Sequence, residues 1–223
     1  MTNLCAKLRE CLLSLSTPML VDALVSEGLH ESHLDAGIRP VVPFSRMVGT
    51  AVTLRLEAVS DEAEANLTLI SQAYQSGPGT NYPIIVIQVP VDLHGYGIFG
   101  QGAAMSSRAH GFIGALVEGA VRDSHDLRAM EFPAFSRTIA PGFIIGKASV
   151  AAFNEPVVIG GRTIHSGDVI MGDNDGVVVI RQEKLENVVS RAQAIKDWEV
   201  RSNKMIAEGM SFEEADELTG PMP

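Results

Sequence analysis

The apolar run Phe112-Ile113-Gly114-Ala115-Leu116-Val117 leads into Gly119-Ala120-Val121-Arg122-Asp123, and Ser124-His125-Asp126-Leu127-Arg128-Ala129-Met130 follows. The run predicts a buried strand over 112–118, and the segment after Asp123 predicts a short helix. An arginine and an aspartate at a strand's carboxyl end fall where α/β domains bind small ligands. Arginine grips a carboxylate in a bidentate fork, and aspartate is a hard oxygen ligand for a divalent cation. The bland alternative is a helix-start aspartate beside a surface arginine, serving only the helix dipole.

The rest of the chain extends this strand–helix grammar. Residues 4–15 predict a helix, and Ser16-Thr17-Pro18 opens a second one that Gly28 can stop. Residues 37–46 form a proline-punctuated connection, and 48–56 predict a strand. Residues 61–74 predict a helix, Gly77-Pro78-Gly79 a turn, and 84–87 a buried strand. A glycine-rich loop over 95–102 leads into a small-residue helix to about His110, and a short strand is expected near Phe135. Alternating strands and helices predict a layered α/β domain.

After Pro141 the pattern turns antiparallel. A hairpin with a Gly160-Gly161 turn is expected over 155–164, and strands at 169–171 and 177–180 flank Asp173-Asn174-Asp175-Gly176. That tetrapeptide resembles the start of a calcium loop but lacks the closing glutamate, so a hairpin turn is the better reading. Residues 183–207 predict a long helix with an apolar stripe through Leu185, Val188, Ala192, Ile195 and Trp198. Glu213-Glu214-Ala215-Asp216-Glu217 is expected to be a mobile acidic tail. The whole is expected to be one domain over 1–223: helices in 1–30, a core at 47–181, the long helix and the tail.

Charge narrows the function. Seventeen basic against 27 acidic residues give a formal net charge of −10, which argues against a nucleic-acid footprint. No apolar run approaches the roughly 18 residues of a membrane span. Cys5 and Cys11, the two cysteines, fit neither a disulfide framework nor a zinc pattern. With no signal-peptide core at the N-terminus, a reducing cytoplasm is the expected location.

Gly95-Tyr96-Gly97-Ile98-Phe99-Gly100 is a literal G-x-G-x-x-G, with Glu118 further on, as a dinucleotide fold would have. Against that reading, Pro90-Val91-Asp92-Leu93-His94 separates the strand from the glycines, and the β-rich second half does not supply a second nucleotide-binding half. What survives is that backbone N–H groups at a helix start can receive an anion. His94 and His125 are more simply solvated or core side chains, and no serine sits in a nucleophile elbow.

Five segments in order resemble one family over about 16–194. They are Ser16-Thr17-Pro18-Met19-Leu20-Val21-Asp22-Ala23-Leu24, Phe99-Gly100-Gln101-Gly102-Ala103-Ala104, residues 111–123, residues 127–137, and Gly167-Asp168-Val169-Ile170 with residues 173–180. The chain resembles the regulator of ribonuclease activity A and the 4-hydroxy-4-methyl-2-oxoglutarate aldolases. The resemblance implies an α/β/β swivelling-type domain with mixed sheets, assembled as a homotrimer or homohexamer with the active site between subunits. It implies cleavage of a 4-hydroxy-2-oxo acid to pyruvate, decarboxylation of oxaloacetate, and a need for Mg²⁺ or Mn²⁺.

By the same resemblance, Arg122 would hold the pyruvate carboxylate or oxo oxygen and Asp123 would ligate the metal. The backbone of Gly100, Gln101, Gly102 and Ala103 would bind the substrate carboxylate. Glu199 is the candidate for a glutamate that family aldolases take from a neighbour's C-terminal helix. One residue departs: the family's acid after the loop glycine is Gln101 here, and an amide can neither act as a base nor lend the site negative charge. Asp92, His94 and Glu118 are the candidates to replace it. A non-catalytic regulator with a basic protein partner is the alternative that this departure suits.

Overall fold

A computed structural model describes residues 4–30, 32–67, 69–76 and 79–223. Gly77 and Pro78, at the expected turn, lie outside the described residues. Two helices come first, α1 (Ala6–Leu13) and α2 (Thr17–Ser26). Ser16 caps α2 by accepting from the Met19 N–H, and Pro18 sits in the first turn. Gly28, at φ +77°, ends the helix as expected.

The strands and remaining helices follow in order. They are β1 (Arg39–Pro40), β2 (Met47–Ala58), α3 (Leu69–Ser76), β3 (Pro83–Gln88), β4 (Tyr96–Phe99), α4 (Gln101–Ala109) and β5 (Gly114–Val121). Then come α5 (Ser124–Ala129), β6 (Ala134–Ile139), β7 (Gly142–Phe143), β8 (Ala148–Phe153), β9 (Val157–Ile159) and β10 (Arg162–Ile164). The chain finishes with β11 (Val169–Gly172), β12 (Val177–Ile180), α6 (Leu185–Ala207) and α7 (Phe212–Thr219).

Among the described residues ten strands form one mixed sheet along the path β1-β6-β5-β3-β2-β11-β12, with β4 on β5, β7 on β4 and β8 on β2. The β2, β3, β5 and β6 pairings are parallel, and β8, β11 and β12 add antiparallel. The stretch from His33 to Pro40 bridges β12 at Val178 and β6 at Ser136, so the sheet is nearly closed on itself. The β9–β10 hairpin is a separate two-stranded piece.

Strand alternation sorts the core into layers. Ile85, Ile87 and Val117 point one way, into the apolar layer that includes Ala73 of α3, Ala104 of α4 and Leu127 of α5. Further along the sheet, Val169, Met171, Val178 and Ile180 pack with α1, α2 and α6. Ile84, Val86, Leu116 and Ile170 point the other way and meet Val157, Ile159 and Ile164 of the hairpin. Helices, sheet and hairpin make the α/β/β layering that the sequence predicts.

Three local expectations are corrected. Residues 61–74 are not one helix: a 3-10 turn spans Glu62–Glu64, and α3 begins only at Leu69. Asn66 between them bonds to the β8 strand, its N–H donating to Ser149 Oγ at 2.9 Å and its carbonyl accepting from the Val150 N–H at 3.0 Å. A side-chain hydroxyl and a backbone N–H on the sheet take the place of helical partners. The stretch 95–102 is not a loop, because Tyr96–Phe99 pairs with β5 and β7 as β4. The acidic tail is the helix α7, started by a Ser211–Glu214 capping box and packed on α6 through buried Ala215.

Candidate active site

The site forms where β5 changes neighbours. Residues 114–118 pair with β3, whereas Ala120 and Val121 pair with β4. The Arg122 N–H donates to the Phe99 carbonyl at 2.8 Å, which fastens the end of β5 to the end of β4. Beneath this junction Phe99 and Phe132, both buried, stack with ring centroids 5.8 Å apart. Burying two such rings contributes roughly 1.5–3 kcal/mol each, a rigid floor for whatever stands above them.

Asp123 takes up the left-handed conformation, φ +52° and ψ +39°, which aspartate tolerates better than most residues. The turn carries its carboxylate away from α5, which it does not cap, and back to the start of α4. Oδ2 accepts from the Gln101 N–H at 3.1 Å, and Oδ1 accepts from Arg122 Nε at 3.2 Å. The two side chains are each about one-third exposed, at 34% and 33%. The Arg122 guanidinium also lies over the Phe143 ring, 5.1 Å from its centroid.

Two of the three glycines of the G-x-G-x-x-G stretch, Gly97 and Gly100, are explained by this pair, whereas a Cβ on Gly95 would meet nothing within 4 Å. A Cβ on Gly100 would sit 2.5 Å from Asp123 Oδ2 and 2.8 Å from Arg122 Cγ. A Cβ on Gly97 would sit 2.8 Å from Arg122 Cβ. Gly97 lies inside β4, not in a strand-to-helix turn. Gly97 and Gly100 make room for Arg122 and Asp123, and with Gly97 inside a strand the stretch does not form the tight phosphate turn of the dinucleotide reading.

A cleft of about 700 Å³ opens above the pair, lined also by Gly100, Gly102 and Ala103 at the start of α4. Of the amides the resemblance points to, Gln101's is taken by Asp123. Those of Gly102 and Ala103, in the first turn, have no partner within the helix. The Gln101 side chain donates through Nε2 to Asp126 Oδ1 at 3.3 Å. Asp126 and Phe143 are site residues to which the sequence does not point, and Gly97 enters there only as part of the G-x-G-x-x-G stretch. The i,i+3 spacing of Asp123 and Asp126 was the one available signal for Asp126.

Among the described residues no group of three or more histidines, cysteines or acids is arranged to hold a metal. Asp123 nonetheless presents carboxylate oxygens that have one hydrogen bond each and retain free lone pairs. That fits Mg²⁺ or Mn²⁺, because a cation of the Mg²⁺ type is commonly held by one or two carboxylates and keeps several waters or substrate oxygens.

The candidates to replace the missing acid lie elsewhere. Glu118 faces the hairpin side, accepting from Arg137 Nε at 2.7 Å and the Gly160 N–H at 2.6 Å. His94 sits 3.0 Å from the Val89 carbonyl through Nε2, and Asp92 is exposed on a 3-10 turn; neither lines the cleft. Glu199 is on α6, which packs on α1, α2 and α7, and does not line the cleft either. The Asp173–Gly176 turn joins β11 to β12 as expected. Asp173 accepts from the Thr17 N–H at 2.9 Å and from Thr17 Oγ1 at 2.6 Å, so it anchors α2.

The RraA-like family, described as Aldolase/RraA, matches residues 17–179. The chain belongs to the RraA-like family. A relative from Halalkalibacterium halodurans bears the name "Putative 4-hydroxy-4-methyl-2-oxoglutarate aldolase" and is 34% identical over 81% of this chain and 79% of its own. A solved structure of an uncharacterized Pseudomonas syringae protein superposes with a TM-score of 0.80 at 27% identity, over 96% of this chain and 99% of that one. Streptomyces coelicolor RraAS2, titled an unusual member of the RNase ES inhibitor RraA family, has the same fold at 22% identity, with a TM-score of 0.79 over 91% and 98% of the two chains. The RraA-like fold thus accounts for the mixed sheet, and Arg122 and Asp123 both lie within the matched span.

Proposed function

We propose that this RraA-like protein is a divalent-metal-dependent lyase that cleaves a 4-hydroxy-2-oxo acid to pyruvate and decarboxylates oxaloacetate. The observation that carries the proposal is the Arg122–Asp123 pair, turned into a cleft opposite the first turn of α4. The aldolase name borne by a relative at 34% identity supports it.

Both reactions leave negative charge on the three carbons that become pyruvate. Arg122 supplies a fixed positive charge for the 1-carboxylate or the 2-oxo oxygen without any proton transfer. The Gly102 and Ala103 N–H groups, at the positive end of α4, offer donors to that same 1-carboxylate. Asp123 would hold Mg²⁺ or Mn²⁺, which when bound supplies Lewis-acid stabilisation of the developing charge. Gln101 cannot accept the 4-hydroxyl proton as an acid–base group, so that proton leaves through water or through a group from another subunit. Glu199 of a neighbouring copy in a homotrimer or homohexamer is the candidate for that group.

The test is metal-dependent pyruvate release from 4-hydroxy-2-oxo acids, 4-hydroxy-4-methyl-2-oxoglutarate among them, and from oxaloacetate. Asp123→Asn keeps a residue that tolerates the left-handed turn and removes the charge. It and Arg122→Ala are each expected to lower kcat/KM by at least about 100-fold, or roughly 2.7 kcal/mol. Unchanged turnover in either variant overturns the assignment.

Gln101 favours a second reading, a non-catalytic regulator that binds a basic protein. Capture of a ribonuclease by the purified protein, with no lyase activity under Mg²⁺ or Mn²⁺, is the result that would select it.

A further inference from the structure

Most of the cleft wall takes no part in gripping a carboxylate. Leu67, Ile70, Ile98, Phe143, Ile144 and Ile145 face the same space as the Arg122–Asp123 pair. Phe143 and Ile145 are 53% and 58% exposed, an apolar rim on a chain with a net charge of −10. The wall is built into the sheet: β7 pairs with β4 in the register Gly97↔Phe143, and Gly97 lies against Arg122. The β7 pairing therefore sets Phe143 beside Arg122, whose guanidinium lies over its ring. Among the described residues lining the cleft, Arg122 is the one cation and Asp123 the one anion.

We propose that the substrate's far end is apolar: a 4-hydroxy-2-oxo acid with an alkyl or aryl group on C4, in place of the second carboxylate of 4-hydroxy-4-methyl-2-oxoglutarate. This rests on the lyase reading above. With the 1-carboxylate anchored at Arg122, the remainder of the molecule lies along the leucine, isoleucine and phenylalanine wall. A second carboxylate there would lose its hydration without gaining a partner from this chain. An alkyl group instead gains about fourfold in affinity for each methylene it buries.

The chemistry balances. The C4 hydroxyl gives up its proton, the freed O–H electron pair becomes the C=O of the departing aldehyde or ketone, and the C3–C4 bond breaks. Its electron pair stays on C3 as the enolate, and C3 then takes a proton to give pyruvate. The second product is an aliphatic or aromatic carbonyl compound.

The experiment compares two unreactive ligands of equal length, 2-oxohexanoate and 2-oxoadipate, which differ only in a terminal methyl or carboxylate. Each is titrated into the whole protein with Mg²⁺ present and followed by calorimetry. The expected result is at least about tenfold tighter binding of 2-oxohexanoate. Ile145→Arg, a substitution at the exposed rim, is expected to erase or reverse that preference. Equal binding, or tighter binding of 2-oxoadipate by the unaltered protein, overturns the inference. If neither compound binds, the cleft is not an oxo-acid site, and the lyase reading falls as well. If 2-oxohexanoate is preferred and no 4-hydroxy-2-oxo acid is cleaved, the specificity stands and only the lyase reading falls.

Discussion

The main-chain N–H of Gln101 donates to Asp123 Oδ2 at 3.1 Å, so the first residue of α4 holds the carboxylate that follows β5. Two elements 22 positions apart in sequence meet at one hydrogen bond. The fit depends on Gly100, which has no Cβ to push them apart.

Gly100→Ala places a Cβ 2.5 Å from Asp123 Oδ2, and both members of the Arg122–Asp123 pair have to move. Misplacing reacting groups by about 1 Å can cost on the order of 100-fold in rate. The variant is expected to lose most of its pyruvate release while keeping a cooperative melting transition. Gly102→Ala is the contrast, since a Cβ there meets nothing within 4 Å. It is expected to raise stability by up to about 1 kcal/mol through helix propensity. Thermal melting of the two variants beside activity separates the two effects.

Phe143 lies under the Arg122 guanidinium at 5.1 Å and is half exposed, so it orients the arginine more than it supports the fold. Phe143→Leu keeps an apolar side chain and removes the ring. A cation–π contact at such a site is worth about 0.5–1 kcal/mol. The expected result is a KM raised roughly two- to fivefold with kcat little changed, read from steady-state kinetics on any substrate that is cleaved.

Much of this was legible in the sequence because it rests on local pattern. The buried strand before Arg122, the Ser16 cap and the Gly160-Gly161 hairpin each follow from residues within a few positions of one another. The site's inner geometry does not. Gly97 and Gly100 read as a phosphate loop until their neighbours across the sheet, Arg122 and Asp123, are in place. Asn66 interrupts a predicted helix because β8, more than 80 residues away, offers it hydrogen bonds. Glu118, a candidate acid on sequence grounds, is paired with Arg137 on the opposite face of β5. The acidic tail is ordered because Ser211 and Glu214 cap each other, a four-residue signal hidden by the charge run behind it.

Two aspartates set opposite pH trends in stability. A hydrogen bond from Arg137, then the Gly37 N–H, holds the Asp35 carboxyl below the ordinary aspartate range. Its contribution is present above about pH 4 and is lost as pH falls through the lowered value. Solvent screening keeps it small, because Asp35 is largely exposed. Burial pushes the Asp168 carboxyl up, against the His165 N–H and the Arg181 charge. Its folded form takes a proton first, so it contributes stability below its raised value and loses it as pH rises. Asp35→Asn is expected to flatten the acid side of the stability profile, and Asp168→Asn to flatten the side above it. Urea midpoints measured from about pH 3 to 7 check both signs.

Gln101 and Asp126 form a matched pair. An ionised carboxylate only accepts hydrogen bonds, so the amide must turn its NH₂ toward Asp126 Oδ1, 3.3 Å away, and its carbonyl oxygen elsewhere. Gln101→Glu, which restores the acid that family aldolases carry, would set two carboxylates against each other at that distance. Like charges this close disfavour ionisation of one of them, so the single variant is expected to gain little affinity for Mn²⁺. Adding Asp126→Asn removes the repulsion and supplies an NH₂ donor. Gln101→Glu/Asp126→Asn is then expected to bind Mn²⁺ more tightly than either single variant, by at least about threefold, as followed by electron paramagnetic resonance of the free ion. Additive single effects would show that Asp126 does not govern position 101.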